Sequence, residues 1–206
     1  PWSGGSSLEG NPIPVRGGIV LAMYRMKEIL EIREADLQVV VQPGIVYDAL
    51  NAELRRLGLF FPPAPGSSDV ATIGGMVANN ASGMRAVKYG VTRDYVQSLV
   101  VVLADGSVVR LGSDAKKTTS GYDLKSLFVG SEGTLGVTTE ITLRLVGMPE
   151  AVGVVVASFD ELEGATGSVH ETIRYGLNPS AIEILDAETV RVTNEQQGLR
   201  LAIRPT

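Results

Sequence analysis

The sequence predicts an α+β fold, and three observations support that prediction. Residues 95–104 are rich in β-branched side chains and indicate a strand. Residues 45–57 place apolar side chains on one helical face, which predicts an amphipathic helix packed on a sheet. From about residue 152 onward, a strand–helix–strand–helix order is typical of half of an α+β domain.

The apolar face of the first helix is followed by Gly58 as a stop signal and consists of Val46, Leu50, Leu54 and Leu57. Asp105-Gly106 is a hairpin turn that reverses the 95–104 strand. The remaining elements expected in this half are strands at residues 17–21, 29–33, 37–42, 107–111 and 137–146 and a short helical piece at 124–128.

A change of composition at residues 147–150 predicts a boundary between a domain at 1–149 and a partial domain at 150–206. In the second part we expect strands at 152–159 and 181–185 and a helix from about Asp186. An earlier helix has Asp160 as the expected N-cap, with Glu163 in the capping-box position.

Composition excludes several classes of function. The chain of 206 residues has a net charge of -5, which argues against nucleic acid or an anionic membrane as its main partner. Its apolar runs are too short to span a bilayer, so we expect no transmembrane segment. With no cysteine and one histidine, His170, the chain lacks the residues for a thiolate site, a multi-histidine metal site or a Ser-His-Asp triad. The absence of cysteine fits a reducing, cytoplasmic compartment.

The stretch from residue 69 to 90 is built mainly from small and turn-forming residues. Glycines there leave the backbone bare, so that a flat ligand can lie against the main chain. A flexible linker is the alternative interpretation. Ile73, Met76, Val77 and Val87 argue against it, because linkers are rarely so apolar.

Residues 1–10 form a glycine/serine turn whose successive amides can point into one concavity suited to phosphate oxygens. It has neither the P-loop nor the Rossmann spacing, and a plain surface loop is the alternative. Such loops usually follow a strand, so we expect the chain to be a piece of a longer polypeptide. The expected arrangement is a parallel βαβ half that lacks its first strand, which leaves apolar surface and a sheet edge uncovered and should weaken the affinity for a ligand bound at this loop.

Five motifs occur here in the order found in one family: the glycine loop, Gln42-Pro43-Gly44, the run at 71–75, the run at 80–90, and the run from Gly121 to Gly136. In these motifs the chain closely resembles the FAD-binding domain of the vanillyl-alcohol oxidase (PCMH) type, in the branch of glycolate oxidase flavin subunits and D-lactate dehydrogenases. The resemblance covers residues 1 to about 150. It implies a two-subdomain FAD-binding domain followed by the start of a ferredoxin-like cap domain.

The resemblance also implies which residues bind FAD. The pyrophosphate would be held by backbone amides of Trp2, Ser3, Gly4, Gly5, Ser6, Ser7 and Gly10. The flavin and ribityl side would be lined by Pro43, Gly44, Ser67, Thr72, Gly74, Gly75, Ala78, Asn79, Ala81, Ser82 and Gly83. The adenine end would be held by Gly133, Gly136 and Val137, with Glu132 beside them. For Glu132 a purely structural capping role is the alternative.

Two departures from the family matter. Some relatives attach FAD covalently through a histidine in the pyrophosphate loop, and this chain has Ser6 there, so the resemblance implies non-covalent FAD. The branch often has Pro-Pro-Asp-Pro where this chain has Pro62-Pro63-Ala64-Pro65, which removes one polar contact from that edge of the site.

The activity implied is oxidation of a small D-2-hydroxy acid to the 2-oxo acid, with hydride transfer to flavin N5. Electrons would then pass to an acceptor protein or partner subunit, which could also hold a cytoplasmic protein at a membrane. The catalytic base and divalent-metal ligands would lie in a cap segment outside these residues, so no catalytic residue is assigned here and His170 is interpreted as a surface or structural histidine. The alternatives are an inert flavin-binding or interaction fragment, or another flavoenzyme on the same FAD domain, such as a lipid-ether synthase or a cell-wall reductase.

Overall fold

A computed structural model describes residues 1–10 and 12–198 of the chain. It divides into two compact units, Pro1–Met148 and Pro149–Thr206. The first unit contains all the strands that the described residues form. These are β1 (Ile29–Arg33), β2 (Gln38–Val41), β3 (Leu59–Phe60), β4 (Val96–Val102), β5 (Val108–Gly112), β6 (Val137–Arg144) and β7 (Val146–Gly147).

The helices of the first unit are short, and the second unit contributes the two longest in the described part of the chain. In chain order they are α1 (Tyr47–Arg55), α2 (Ile73–Asn79), α3 (Ala86–Tyr89), α4 (Leu124–Phe128), α5 (Leu162–Arg174) and α6 (Ala187–Gln197). Strands and helices are mixed without strict alternation, so the prediction of an α+β fold is confirmed.

Five strands form one sheet in the order β1-β2-β6-β4-β5, and every neighbouring pair is antiparallel. The expected parallel βαβ half is therefore wrong. Parallel pairing among the described residues is limited to an isolated bridge between Trp2 and Ala22. The core lies against β2, β4 and β6, where Val39, Leu99 and Ile141 are almost completely buried.

Helix α1 lies on this core as its apolar pattern predicts. Leu50 and Leu54 are fully buried, and Asn51 is buried beside them, where its side chain bonds the backbone N–H and C=O of Phe61. The helix begins two residues later than expected because Val46 is still extended and bridges Thr72. It ends before Gly58, which takes a φ of +69°.

The predicted strand at residues 17–21 is wrong. This segment has no ladder partner among the described residues, and β-branched composition alone does not make a strand without one. The Leu21 carbonyl accepts a hydrogen bond from the Trp2 amide at 2.8 Å, next to the isolated bridge between Trp2 and Ala22.

In the described part of the second unit, both predicted helices are present and both predicted strands are absent. α5 and α6 lie where the pattern places them, and Asp186 caps α6 by accepting from the Thr189 amide at 2.7 Å. The predicted strands at 152–159 and 181–185 are wrong, because no described segment of this unit pairs with them. The expected Asp160 cap is also wrong: the N-cap of α5 is Glu161, which makes no side-chain capping bond.

Candidate cofactor-binding site

The first unit contains a cleft of about 440 Å³. Its lining comes from the glycine/serine loop at the start, from residues 12–23, from Pro43, from the residues from Pro65 to Ala81 around α2, and from the residues from Phe128 to Thr138 between α4 and β6. The sequence-predicted residues that line it are Trp2, Ser3, Gly4, Gly5, Ser6, Ser7, Pro43, Ser67, Thr72, Gly74, Gly75, Ala78, Asn79, Ala81, Glu132, Gly133 and Gly136.

Five predicted site residues do not line this cleft: Gly10, Gly44, Ser82, Gly83 and Val137. Val137 instead lines a smaller cleft of about 220 Å³ that shares Gly133 and Gly136 with the main one. Gly44 and Gly83 lie against backbone, of Met23 and Ala64 respectively, so their lack of a side chain serves internal packing.

At several glycines of the cleft a side chain would not fit, because other atoms of the protein occupy the space. A Cβ at Gly74 would lie 2.5 Å from the Cβ of Pro43, and one at Gly136 would lie 2.6 Å from a methyl carbon of Val101. The sequence predicts that the bare backbone of the 69–90 stretch admits a ligand directly. For Gly74 and Gly83 the structure gives a different reason, which is close packing of neighbouring chain segments.

The glycine/serine loop exposes a row of backbone donors. Among the described residues, the amides of Ser3, Gly4, Gly5, Ser6 and Ser7 donate to no protein acceptor. The loop is supported from below by Trp2, because the indole nitrogen would lie 2.9 Å from a Cβ at Gly5. Gly5 has a φ of +63°, which bends the chain over the indole. A row of free amides on a rigid base favours an anion.

The Ser3 hydroxyl is a second unsatisfied donor in this loop. Its oxygen is buried and has no hydrogen-bond partner in the structure. An unpaired buried hydroxyl costs about 1–3 kcal/mol, so such a group usually has a partner in the functional state. Ser3 lines the cleft, and a bound oxyanion or hydroxyl within reach of its rotated side chain would satisfy it.

Helix α2 forms the floor of the cleft and was not predicted. Thr72 caps it, since its hydroxyl accepts from the Gly75 amide at 3.3 Å. Ile73, Met76 and Val77 are buried at the helical spacing i, i+3, i+4. The cap and that spacing were the signal in the sequence; the two glycines, which are poor helix formers, obscured it.

The wall formed by residues 128–138 is hydrogen-bonded to the C-terminal end of α2. The Gly130 amide donates to the Val77 carbonyl and the Glu132 amide to the Ala78 carbonyl, both at 2.9 Å. These bonds satisfy carbonyls that a helix end leaves open. Glu132 has a left-handed φ of 53°, unusual for a residue other than glycine. Its backbone therefore has a structural capping role, while its position also lines the cleft.

An apolar wall was missed by sequence reasoning. It faces the glycine loop and consists of Pro12, Ile13, Pro14, Ile19, Val20, Met23 and Phe128. Aliphatic residues in sequence look like core residues, so no local signal separates them from core. The side chains of Ile13 and Ile19 are nevertheless more than half exposed, which places them at the open side of the cleft.

Charge is scarce in the cleft, and Glu132 is the one ionisable side chain among the residues that line it. An anionic ligand would therefore be held by amide dipoles rather than by lysine or arginine. Within residues 1–10 and 12–198, no group of three or more His, Cys, Asp or Glu residues is placed to hold a metal ion. His170 is exposed on α5.

Free amides beside an apolar wall suit a ligand with a phosphate part and a flat ring part, which is the composition of a dinucleotide cofactor. The chain belongs to the family described as "FAD binding domain", which it matches over residues 1–112. Residues 148–205 match a second family, described as the C-terminal domain of FAD-linked oxidases.

Curated relatives extend over nearly the whole chain. It is 42% identical to a glycolate oxidase subunit GlcD of Bacillus subtilis, covering 95% of this chain and 42% of that protein. It is 43% identical to a mitochondrial cytochrome-type D-lactate dehydrogenase of Arabidopsis thaliana, covering 100% of this chain and 36% of that protein. The chain thus spans about two fifths of the length of these relatives.

Among solved structures, an alkyldihydroxyacetonephosphate synthase superposes with a TM-score of 0.81 at 26% identity, over 93% of this chain and 35% of that one. Its sequence is more distant than those of the glycolate and lactate proteins. The described residues include no helix that is long and apolar enough to cross a bilayer.

The residues of the cleft fit FAD, the cofactor of the family. The unpaired amides of the loop and the unsatisfied Ser3 hydroxyl suit the pyrophosphate oxygens. The volume of about 440 Å³ lies within the range of small-molecule and cofactor sites.

Proposed function

We propose that this chain is the flavin-binding part of an FAD-dependent oxidoreductase that oxidises a small D-2-hydroxy acid, of the glycolate or D-lactate class, to the 2-oxo acid. The observation that carries the proposal is identity of 36–43% to proteins named for these two substrates, over 93–100% of the chain. The five ordered motifs support the same branch.

In this proposal the loop of Ser3 to Ser7 binds the pyrophosphate through its amides. Pro43 and the floor formed by α2 position the flavin and ribityl parts, and Gly133 with Gly136 and Val137 holds the adenine end. When bound, FAD accepts a hydride from the substrate carbon. The residues of this chain bind and orient the cofactor and exclude water from it.

The proposed attachment is non-covalent, because Ser6 stands at the loop position where some relatives carry a linking histidine. We further propose that residues 1–149 form the FAD-binding domain and residues 150–206 the start of a substrate or cap domain. The two family matches and the division after Met148 support this. An electron-acceptor protein or partner subunit completes the reaction; one relative is itself named a subunit.

A different flavoenzyme is the second candidate, favoured by the structural likeness to an alkyldihydroxyacetonephosphate synthase. A chain that binds flavin without turnover is the third. The lower sequence identity of the synthase places it behind the hydroxy-acid enzymes.

The visible absorption spectrum of the purified protein, followed by denaturation and centrifugal filtration, tests the cofactor. We expect a flavin spectrum and a flavin that passes the filter. Flavin retained with the polypeptide would contradict non-covalent attachment, and a colourless protein that takes up no added FAD would contradict the function.

Anaerobic bleaching of the bound flavin tests the substrate in a polypeptide that contains these 206 residues together with the remaining length of its relatives. D-lactate or glycolate should bleach the flavin, whereas L-lactate serves as the stereochemical control. Bleaching by neither acid would favour the second or third candidate.

A further inference from the structure

Arg93 does not line the cleft, yet it joins two of the cleft's walls. Its backbone amide donates to the side-chain oxygen of Asn80 at 2.9 Å, and its guanidinium donates to the carbonyl of Val129 at 2.7 Å. Asn80 is the left-handed C-cap of α2, and Val129 begins the segment that carries Ser131, Glu132 and Gly133 into the cleft.

The turn that carries Arg93 is itself fixed. Thr92, which precedes Arg93, is fully buried, and its hydroxyl donates to the Ala81 carbonyl at 2.7 Å. Asp94, which follows, accepts from the Val91 amide at 2.8 Å. The backbone at Arg93 is therefore fixed by hydrogen bonds on both sides, which directs its side chain from a defined position.

The segment beyond Val129 needs such support. Glu132 holds a left-handed φ of 53°, and residues in sparsely populated backbone regions persist only when their surroundings fix them. Two backbone bonds to α2 fix it from one side, through Gly130 and Glu132. The Arg93 bond to Val129 fixes the residue immediately before them. A Cβ at Gly130 would lie 3.3 Å from the guanidinium, so the two residues pack closely.

We propose that Arg93 is a positioning residue of the cofactor site: it holds the 129–133 segment against the end of α2 so that the wall formed by Ser131, Glu132 and Gly133 is in place before FAD binds. This rests on the proposed function. Arg93 does not line the cleft and acts through the Val129 carbonyl.

The test compares Arg93→Ala and Arg93→Lys with Arg56→Ala. Arg56 is a suitable control because it lies in the same unit, carries the same charge, and its side chain forms an exposed ion pair with Glu53. Hydrogen exchange of the Gly130 and Glu132 amides, measured without FAD, reports the order of the segment. FAD titration then reports affinity, and visible circular dichroism reports the environment of the bound flavin.

For Arg93→Ala we expect exchange of both amides to accelerate and FAD affinity to fall roughly 10- to 100-fold, the loss typical of a charge-assisted hydrogen bond. Arg93→Lys, which keeps one donor, should recover part of the affinity. Millimolar guanidinium added to Arg93→Ala should recover part of it too, a response that a merely structural loss of stability would not show. Arg56→Ala should match the parent protein in every measurement.

Unchanged amide exchange in both Arg93 variants would overturn the positioning role, even in a protein that binds FAD normally. Accelerated exchange with unchanged FAD affinity would overturn the link to the cofactor. A parent protein that binds no FAD would overturn the proposed function, and with it this inference. If Arg93→Ala does not fold, the same exchange and affinity comparison on Arg93→Lys decides the question.

Discussion

Gly74 and Pro43 are in direct contact in the wall of the cleft. The Gly74 amide donates to the Pro43 carbonyl at 2.7 Å, and a Cβ at Gly74 would lie 2.5 Å from the Cβ of Pro43. This contact joins the first turn of α2 to the loop after β2. Two sequence-distant motifs are therefore held together by a position that admits no side chain.

We expect Gly74→Ala to lower the free energy of unfolding by about 1–3 kcal/mol, because the added methyl group overpacks against Pro43. FAD affinity should fall with it, since α2 must shift. Urea denaturation and FAD titration measure the two effects. Gly66→Ala is the matched control, since nothing lies within 4 Å of its Cβ position. Equal stability of the two variants would contradict the packing argument.

Thr72→Ala should cost about 1 kcal/mol of stability, because it removes the hydroxyl that caps α2. Thr72→Ser keeps the hydroxyl and should retain most of that stability. Thermal or urea unfolding of the two variants distinguishes loss of the cap from loss of the methyl group. If Thr72→Ser were as unstable as Thr72→Ala, the methyl contact rather than the cap would be the source of the effect.

Trp2 should report the binding of FAD. It is the one tryptophan of the chain, and it lies in the wall of the cleft beneath the glycine loop. Flavin bound in the same cleft should quench the emission of the indole in a saturable way. Fluorescence titration with FAD therefore gives the affinity directly, with riboflavin as a control that lacks the phosphates. Absence of quenching on saturation with FAD would place the cofactor elsewhere.

Asp114 makes the stability of the sheet depend on pH. Burial raises the pKa of its carboxyl group, but hydrogen bonds from Ser98, Arg110 and Arg33 outweigh this, so that the pKa is lowered in the folded state. The native protein then binds fewer protons than the unfolded chain. The stabilisation is present above the ordinary aspartate pKa of 3.8 and is lost as the pH falls through the lower folded-state value.

Asp114→Asn should therefore lower the urea midpoint at pH 7 and flatten its dependence on pH in the acid range. We expect a loss of about 1 kcal/mol or less, since the ion pairs are partly solvated. Urea unfolding between pH 3 and 7 checks this, with the exposed Asp36→Asn as a charge-matched control. An unchanged slope in Asp114→Asn would contradict the assignment.

The sequence predicts elements well where periodicity and local turn chemistry agree. Helix α1 and the hairpin of β1 and β2 lie close to their expected bounds, since each is specified within a few neighbouring residues. The strand expected at 17–21 fails because a strand needs a neighbour, which local composition does not reveal. Helix α2 was missed because Gly74 and Gly75 conceal a capped, apolar-spaced helix.

The same contrast holds for the cleft. The glycine loop and the Gly133–Gly136 turn were found, because runs of small residues stand out in a sequence. The apolar wall was not, because Ile13, Ile19 and Phe128 have no feature that separates them from core residues. Arg93 was missed for a further reason: its role lies in a carbonyl contact that joins positions 36 residues apart.

The order β1-β2-β6-β4-β5 has a consequence for biosynthesis. The central strand, β6, is the last of the five to be translated, and until it is made β2 and β4 have no common neighbour. The cleft also needs residues up to Thr138. A ribosome-bound chain that stops short of β6 should therefore remain sensitive to protease and unable to retain flavin. A chain in which β6 has emerged should become protease-resistant and retain flavin at the same stage. We therefore expect the emergence of this single strand to set the stage at which the cofactor can first be bound.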